Sequence, residues 1–188
     1  MKTIKNIEFN RLNVAHTISR GDLFDKEDLK NLNRYYQSWK ALNEENIHFN
    51  VRRANLPELL SEGLASALFG WIRTNSTSIT GCSASCDLVN TDTGELIQLK
   101  ACSTTAQKPA GPTSFGPRSE FDTLIFMHLD CEANIASFYK LDDIYKNWKV
   151  NRTETVADQQ AQGRRPRINL LSKIRENNIE PFYVYSFE

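Results

Sequence analysis

Asp87 and the run Gln98-Leu99-Lys100 put a carboxylate, an amide and an amine within a short stretch of chain. Groups of these types could together hydrolyse a phosphodiester, which needs a divalent cation to polarise the phosphate and a water activated in line with the scissile bond. Asp87 is the candidate metal ligand. Magnesium takes oxygen ligands and keeps several waters, so one carboxylate, an amide or backbone oxygen and the substrate phosphate suffice. Gln98 could orient a metal-bound water or complete the ligand set, and the backbone carbonyl of Leu99 could ligate directly. Lys100 would sit beside the water and the phosphate, lowering the water's pKa and stabilising the negative charge that develops. The plainer reading of the same residues is a strand pair with an ordinary set of surface charges.

Two strands must position these groups. Residues 83–89 and 95–101 flank the turn-rich Asn90-Thr91-Asp92-Thr93-Gly94 and read as an antiparallel pair. Side chains alternate along a strand, so Ser85, Asp87 and Val89 share one side of the first, and Leu96, Gln98 and Lys100 one side of the second. Folding at Asp92 brings Asp87 level with Gln98. Upstream, Leu56, Leu59, Leu60, Leu64, Ala67, Leu68 and Trp71 form one apolar stripe, which predicts a helix over 57–73 packed on the sheet with Pro57 near its first turn. Glu62 falls off that stripe. It reads either as a solvated helical glutamate or as a carboxylate aimed at a cleft beside the helix, a second acidic group with or without a second metal.

Elsewhere the pattern is mixed. Leu29, Leu32, Tyr36, Trp39 and Leu42, with Asp25, Glu27 and Asp28 at the start, predict an amphipathic helix over 25–43 whose aromatic stripe (Tyr35, Tyr36, Trp39) belongs to a core or subunit interface. Residues 1–20 show only a short alternation, Ile4, Ile7 and Phe9. Residues 106–118 hold three prolines and two glycines and read as a loop. Residues 121–129 and 135–141 read as strands, 142–148 as a short helix capped by Asp142 or Asp143, a helical pattern runs through Leu170, Leu171 and Ile174, and 182–187 form a last strand. Of the four cysteines, Cys82 and Cys86 have a C-x3-C spacing that suggests zinc, but no second close Cys or His pair accompanies them.

The 188 residues fit one domain, 1–188, with no linker-like segment. Neither a membrane-length apolar run nor a leader is encoded, which points to a cytoplasmic protein with reduced cysteines. Net charge is zero but unevenly spread: Lys and Arg outnumber Asp and Glu ten to seven over 1–53 and eight to five over 146–188, while 54–145 holds five against eleven. An acidic centre between basic flanks suits a metal site between phosphate-contacting segments; ordinary solvated surface also produces it. Within the basic segment 159–176, Arg164, Arg165 and Arg167 around Pro166 make a stiff, donor-rich loop suited to phosphate oxygens or guanine edges.

The order of a helix with Glu62, a strand with Asp87 and a strand with Gln98-x-Lys100 resembles the PD-(D/E)XK nucleases, in particular small type II restriction endonucleases. The segments NLPELLSEGLASALF, SFGPRSEFDTLIFM and QGRRPR are similar to stretches of small enzymes that cut GCNGC-type sites. The resemblance spans roughly residues 50–170. Asp87 matches the motif aspartate, Lys100 the motif lysine and Glu62 the helical acidic residue. Gln98 stands where an Asp or Glu is usual, and Cys86 where proline is usual. The resemblance implies an α/β (α+β) fold, a central mixed β-sheet flanked by helices with a restriction-endonuclease-like core. It also implies Mg2+-dependent cleavage of both strands of double-stranded DNA at a short palindromic site, leaving 5′-phosphate and 3′-hydroxyl ends, with methylation-sensitive or methylation-dependent cutting. A homodimer with one active site per strand follows from palindromic DNA, in a bacterial or archaeal host. The DNA readers are expected at Ser114, Arg118, Gln162, Arg164, Arg165 and Arg167. The competing readings are a repair or junction-resolving nuclease on the same core, a DNA-binding protein without catalysis, and a zinc-held module using Cys82, Cys86, Cys102 and Cys131.

Overall fold

Two ten-residue strands open the chain, β1 (Lys2–Arg11) and β2 (Val14–Leu23), paired antiparallel from Lys2 with Leu23 to Arg11 with Val14. The structure, a computed structural model, describes residues 1–80, 85–117 and 120–188. Asp25 then starts the first helical region with a capping box: its side chain accepts from the Glu27 and Asp28 N–H groups, and Asp28 accepts from the Asp25 N–H. One 3-10 turn leads into α1 (Leu29–His48), which runs past the expected end at 43. Leu32, Tyr36 and Trp39 are buried as their spacing requires, whereas Tyr35 and Leu42 are exposed.

The helix expected over 57–73 is shorter and irregular. It opens as a π-helical turn, Leu59–Gly63, continues as α2 (Leu64–Phe69), and stops where Gly70 takes a left-handed φ of 73° and its N–H reaches the Ser66 carbonyl. The chain is thereby released into β3 (Ile72–Arg73). Next come β4 (Leu88–Asn90) and β5 (Glu95–Thr104), in register from Leu88 with Ile97 to Asn90 with Glu95. The first strand of this hairpin, expected over 83–89, is regular only from Leu88; residues 81–84 lie outside the described residues. The proline-rich segment contributes β6 (Thr113–Ser114), followed by β7 (Thr123–Asp130) and β8 (Ile135–Lys140). The expected helix over 142–148 is a 3-10 turn, Ile144–Asn147, and Asp143 precedes it without a side-chain cap bond. The chain ends with α3 (Val156–Ala161), β9 (Arg167–Ile168), α4 (Leu170–Glu176) and β10 (Tyr183–Ser186).

Among the described residues, eight strands form one sheet in the order β1-β2-β3-β4-β5-β7-β8-β10. Neighbours are antiparallel except β5 and β7, which run parallel from Ile97 with Thr123 to Thr104 with Asp130. This is the mixed sheet flanked by helices that the sequence implied. One face packs on α1 and α2 through Leu32, Tyr36, Leu60, Leu64, Ile97, Leu99, Ile125 and Met127. The opposite face carries two clusters. One, with Leu124, Phe126, Phe115, Ile168, Leu170 and Ile174, lies under the C-terminal segment; the other, with Phe9, Ile18, Ile72, Val89 and Leu96, lies under the N-terminal hairpin. No helix among the described residues is long and apolar enough to cross a membrane.

Candidate active site

Pairing of β4 with β5 begins at Leu88 with Ile97, and Asp87 stands in a bend one residue before it, with its side chain on Gln98. The contact is made: Gln98 Nε2 donates to Asp87 Oδ2, and the Leu99 N–H donates to the same oxygen at 2.9 Å. The Asp87 backbone is held on both sides, its N–H on the Ile97 carbonyl at 2.9 Å and its carbonyl on the Thr74 N–H at 3.0 Å. Gln98 is buried, while Asp87 and Lys100 are half-buried. Burial pushes the Asp87 carboxyl up, against the pull of the Leu99 N–H and the Lys100 charge. Gln98 and Lys100 are paired in the ladder with Leu124 and Phe126, so all four side chains share one face of the sheet. A strand residue's N–H and C=O share one edge, so the Leu99 carbonyl lies on the Asp87 side of β5.

The second carboxylate comes from the π turn. That geometry widens a helix by one residue and is frequent at functional sites; here it carries Glu62, off the apolar stripe. Glu62 is not solvated: its side chain is 14% exposed, and Oε2 accepts from Arg73 Nε at 2.6 Å. Glu58, one turn earlier and 76% exposed, meets Arg73 Nη2 at 3.1 Å. Burial raises the Glu62 carboxyl to about 7, the Arg73 hydrogen bond opposing and the negative charge of Asp87 adding to the rise. Burial pulls Arg73 down, but Glu62 and Glu58 more than offset it and keep the guanidinium charged. Glu58, Glu62, Arg73, Thr74, Asn75, Ser85, Cys86 and Asp87 line one open cleft of about 370 Å³. Arg73 and Glu58 escaped the sequence reading. The signal that could have found Arg73 is its charge, since it is the first basic residue after Arg53 in the acidic middle of the chain.

The donor set suits a hard cation. Two carboxylates that feel each other's charge, with an amide and a backbone carbonyl, offer oxygen alone, as Mg2+ requires. Among the described residues no three His, Cys, Asp or Glu side chains converge as a ready-made metal site, so water and phosphate oxygens would complete the shell. Cys86, Cys102 and Cys131 pack in three different hydrophobic clusters; Cys82 lies outside the described residues. A more enclosed cavity of about 350 Å³, between α1 and the loop after β5, is lined by Trp39, Asn43, Arg53, Lys108 and Cys131 among others, and neither Asp87 nor Glu62 reaches it.

The candidate DNA-contacting residues converge, with one outside the described set. Short strands β6 and β9 pair, setting Ser114 opposite Arg167, and the Phe115 N–H donates to the Pro166 carbonyl at 3.1 Å. Gln160 Nε2 adds a bond to the Gly116 carbonyl at 2.7 Å. The proline-rich loop and the arginine loop are therefore one structure, anchored by Phe115 and Ile168 in the cluster that contains Leu124 and Phe126. Ser114, Gln162, Arg164, Arg165 and Arg167 are all exposed. Arg164 and Gln162 both bond Glu154, which the sequence reading did not single out. Arg118 lies outside the described residues.

Comparison with known proteins is specific. Residues 24–177 match the family described as Bsp6I restriction endonuclease. The chain is 34% identical over 161 residues, 84% of its length and 87% of the relative's, to the type II restriction enzyme Bsp6I of Bacillus sp. (strain RFL6). No solved structure matches it significantly.

Proposed function

Because the chain belongs to the Bsp6I restriction endonuclease family and is thus a type II site-specific endonuclease, we propose that β4, β5 and the π turn carry its Mg2+-dependent active site. The observation that supports this is the seating of Asp87 against Gln98 and Leu99 at the mouth of a cleft that also holds Glu62. Asp87, Glu62 and the Leu99 carbonyl would hold Mg2+, which when bound polarises the scissile phosphate and lowers the pKa of a water. Gln98 takes the place of the usual carboxylate. Its amide fixes the Asp87 carboxylate by donating to it, and its oxygen remains to orient the water. Lys100, on the same face as Gln98, stabilises the negative charge as the water's oxygen bonds to phosphorus and the 3′ oxygen departs. Ser114, Arg118, Gln162, Arg164, Arg165 and Arg167 are assigned to the DNA. The substrate is a palindromic double-stranded site of GCNGC type, cut in the cytoplasm of a bacterial or archaeal cell by a homodimer that offers each strand one copy of the site.

Digestion of matched methylated and unmethylated plasmid with Mg2+, alongside Lys100→Ala, tests the assignment. Wild type should give discrete fragments, with methylation altering the pattern. Lys100→Ala should cut about 10²–10³-fold more slowly, the usual loss for a transition-state charge stabiliser, while still retaining DNA. If both proteins cut equally, or neither cuts, the hairpin is not the active site. Branch-dependent or random nicking would move the protein to repair or junction resolution.

A further inference from the structure

Arg73 has no part in the chemistry assigned above, yet it is the only basic side chain among the described residues that line the cleft. Its backbone is fixed in β3, paired with Asp22 of β2 and Leu88 of β4, and the next residue, Thr74, donates its N–H to the Asp87 carbonyl. From that point the side chain reaches across to the π turn. Nε meets Glu62 at 2.6 Å and Nη2 meets Glu58 at 3.1 Å. Two carboxylates sharing a half-buried cleft repel one another and need a compensating charge. In the protein without a cation, Arg73 supplies it.

We propose that Arg73 is the resident counter-ion of this cleft: it holds Glu62 beside Asp87 when no divalent cation is bound, and cation binding at Glu62 must displace its guanidinium. The inference rests on the reading of Glu62 and Asp87 as cation ligands. Arg73 is a positioning residue that acts through Glu62. Its consequence is a raised cation requirement in DNA-free protein. The displaced guanidinium is left at the mouth of a cleft where a DNA phosphate can take it up, so cation and DNA favour each other's binding. Such coupling would keep the protein cation-poor until DNA is in place.

The test is calorimetric titration of DNA-free protein with Ca2+ or Mn2+ at pH 8.5, comparing wild type, Arg73→Gln, Arg73→Lys and Glu62→Gln. Arg73→Gln should bind the cation about tenfold more tightly, the equivalent of about 1.4 kcal/mol, Arg73→Lys should lie close to wild type, and Glu62→Gln should lose the gain when combined with Arg73→Gln. Thermal midpoints identify any variant that fails to fold; if Arg73→Gln does, folded Arg73→Met takes its place, with the same tenfold gain expected and the same outcome overturning the proposal. Equal or weaker cation binding by folded Arg73→Gln overturns the proposal. If wild type and every variant bind no cation while plasmid cleavage requires Lys100, the counter-ion role fails and the active-site reading survives. If Lys100→Ala cuts like wild type, it is the active-site reading that fails.

Discussion

Glu62 is the residue where burial, pairing and chemistry pull in different directions, and its titration makes that conflict measurable. In the cation-free protein its carboxyl is raised from 4.5 to about 7, with burial the largest cause. Between those two values the unfolded chain has released the proton and the folded chain still holds it. Folding therefore binds a proton in this window, and stability attributable to Glu62 is present at low pH and declines as pH rises toward 7. The loss is bounded at about 3 kcal/mol by the size of the shift. Arg73 stays charged throughout and contributes no slope of its own. Denaturant unfolding in chelator from pH 4.5 to 7.5 should show wild type losing stability across the window and Glu62→Gln showing a flatter profile. Parallel profiles would mean that Glu62 is ionised at all these pH values and that the Arg73 pairing, not burial, governs it.

At the scale of elements, the hairpin proposed to carry the site is braced by the hairpin that opens the chain. Gly94, in the β4–β5 turn, has φ 78°, and a Cβ there would stand 2.0 Å from the Asn10 carbonyl oxygen of β1. Next to Asn10, Arg11 pairs with Asp122 at 2.8 Å, and Asp122 accepts from the Leu96 N–H at 2.9 Å. Gly94→Ala combines left-handed strain with a backbone clash, so it should cost about 2 kcal/mol or more and lower the denaturation midpoint; a loss below about 0.5 kcal/mol, the usual range of an ordinary surface change, would show that the two hairpins are not wedged together. The β4–β5 hairpin was legible in the sequence because its turn residues and period-two alternation agree. The β1–β2 hairpin was not, for two physical reasons. Its strands bury little beyond Phe9 and Ile18, which blurs the alternation, and its turn places Leu12 and Asn13 at positive φ without the Asn-Gly or Asp-Gly that marks such turns. Asp87 facing Gln98 followed from strand geometry alone. Arg73 reaching Glu62 did not, because it depends on a two-residue strand and a π turn that no local pattern announces.

For the whole molecule, zero net charge leaves DNA attraction to local clusters, and the pairing of β6 with β9 sets which arginines of the proposed DNA-contacting loop are free to provide it. Arg164 is committed in part to Glu154, whose carboxyl is held down near 2 by Asn151, Gln159 and Arg164, so Glu154 remains charged at any working pH. Arg165 and Arg167 form no ion pair with a described residue and flank the buried Pro166, and Arg167 stands opposite Ser114. The loop is anchored on the sheet face shared by Gln98 and Lys100, so DNA engaged there would lie on the same side of the sheet as the proposed catalytic pair. Arg165→Ala with Arg167→Ala should therefore weaken DNA binding measured in Ca2+ without changing the fold. The form of the loss identifies the contact. Two phosphate contacts would reduce the slope of log K against log salt by about 0.9 for each contact, equally on specific and random DNA. Contacts to guanine edges would leave that slope in place and cost about 1–3 kcal/mol each on the specific site alone. Unchanged affinity, unchanged slope and unchanged discrimination in a folded double variant would remove this loop from the DNA interface and shift the search for base readers to the N-terminal hairpin.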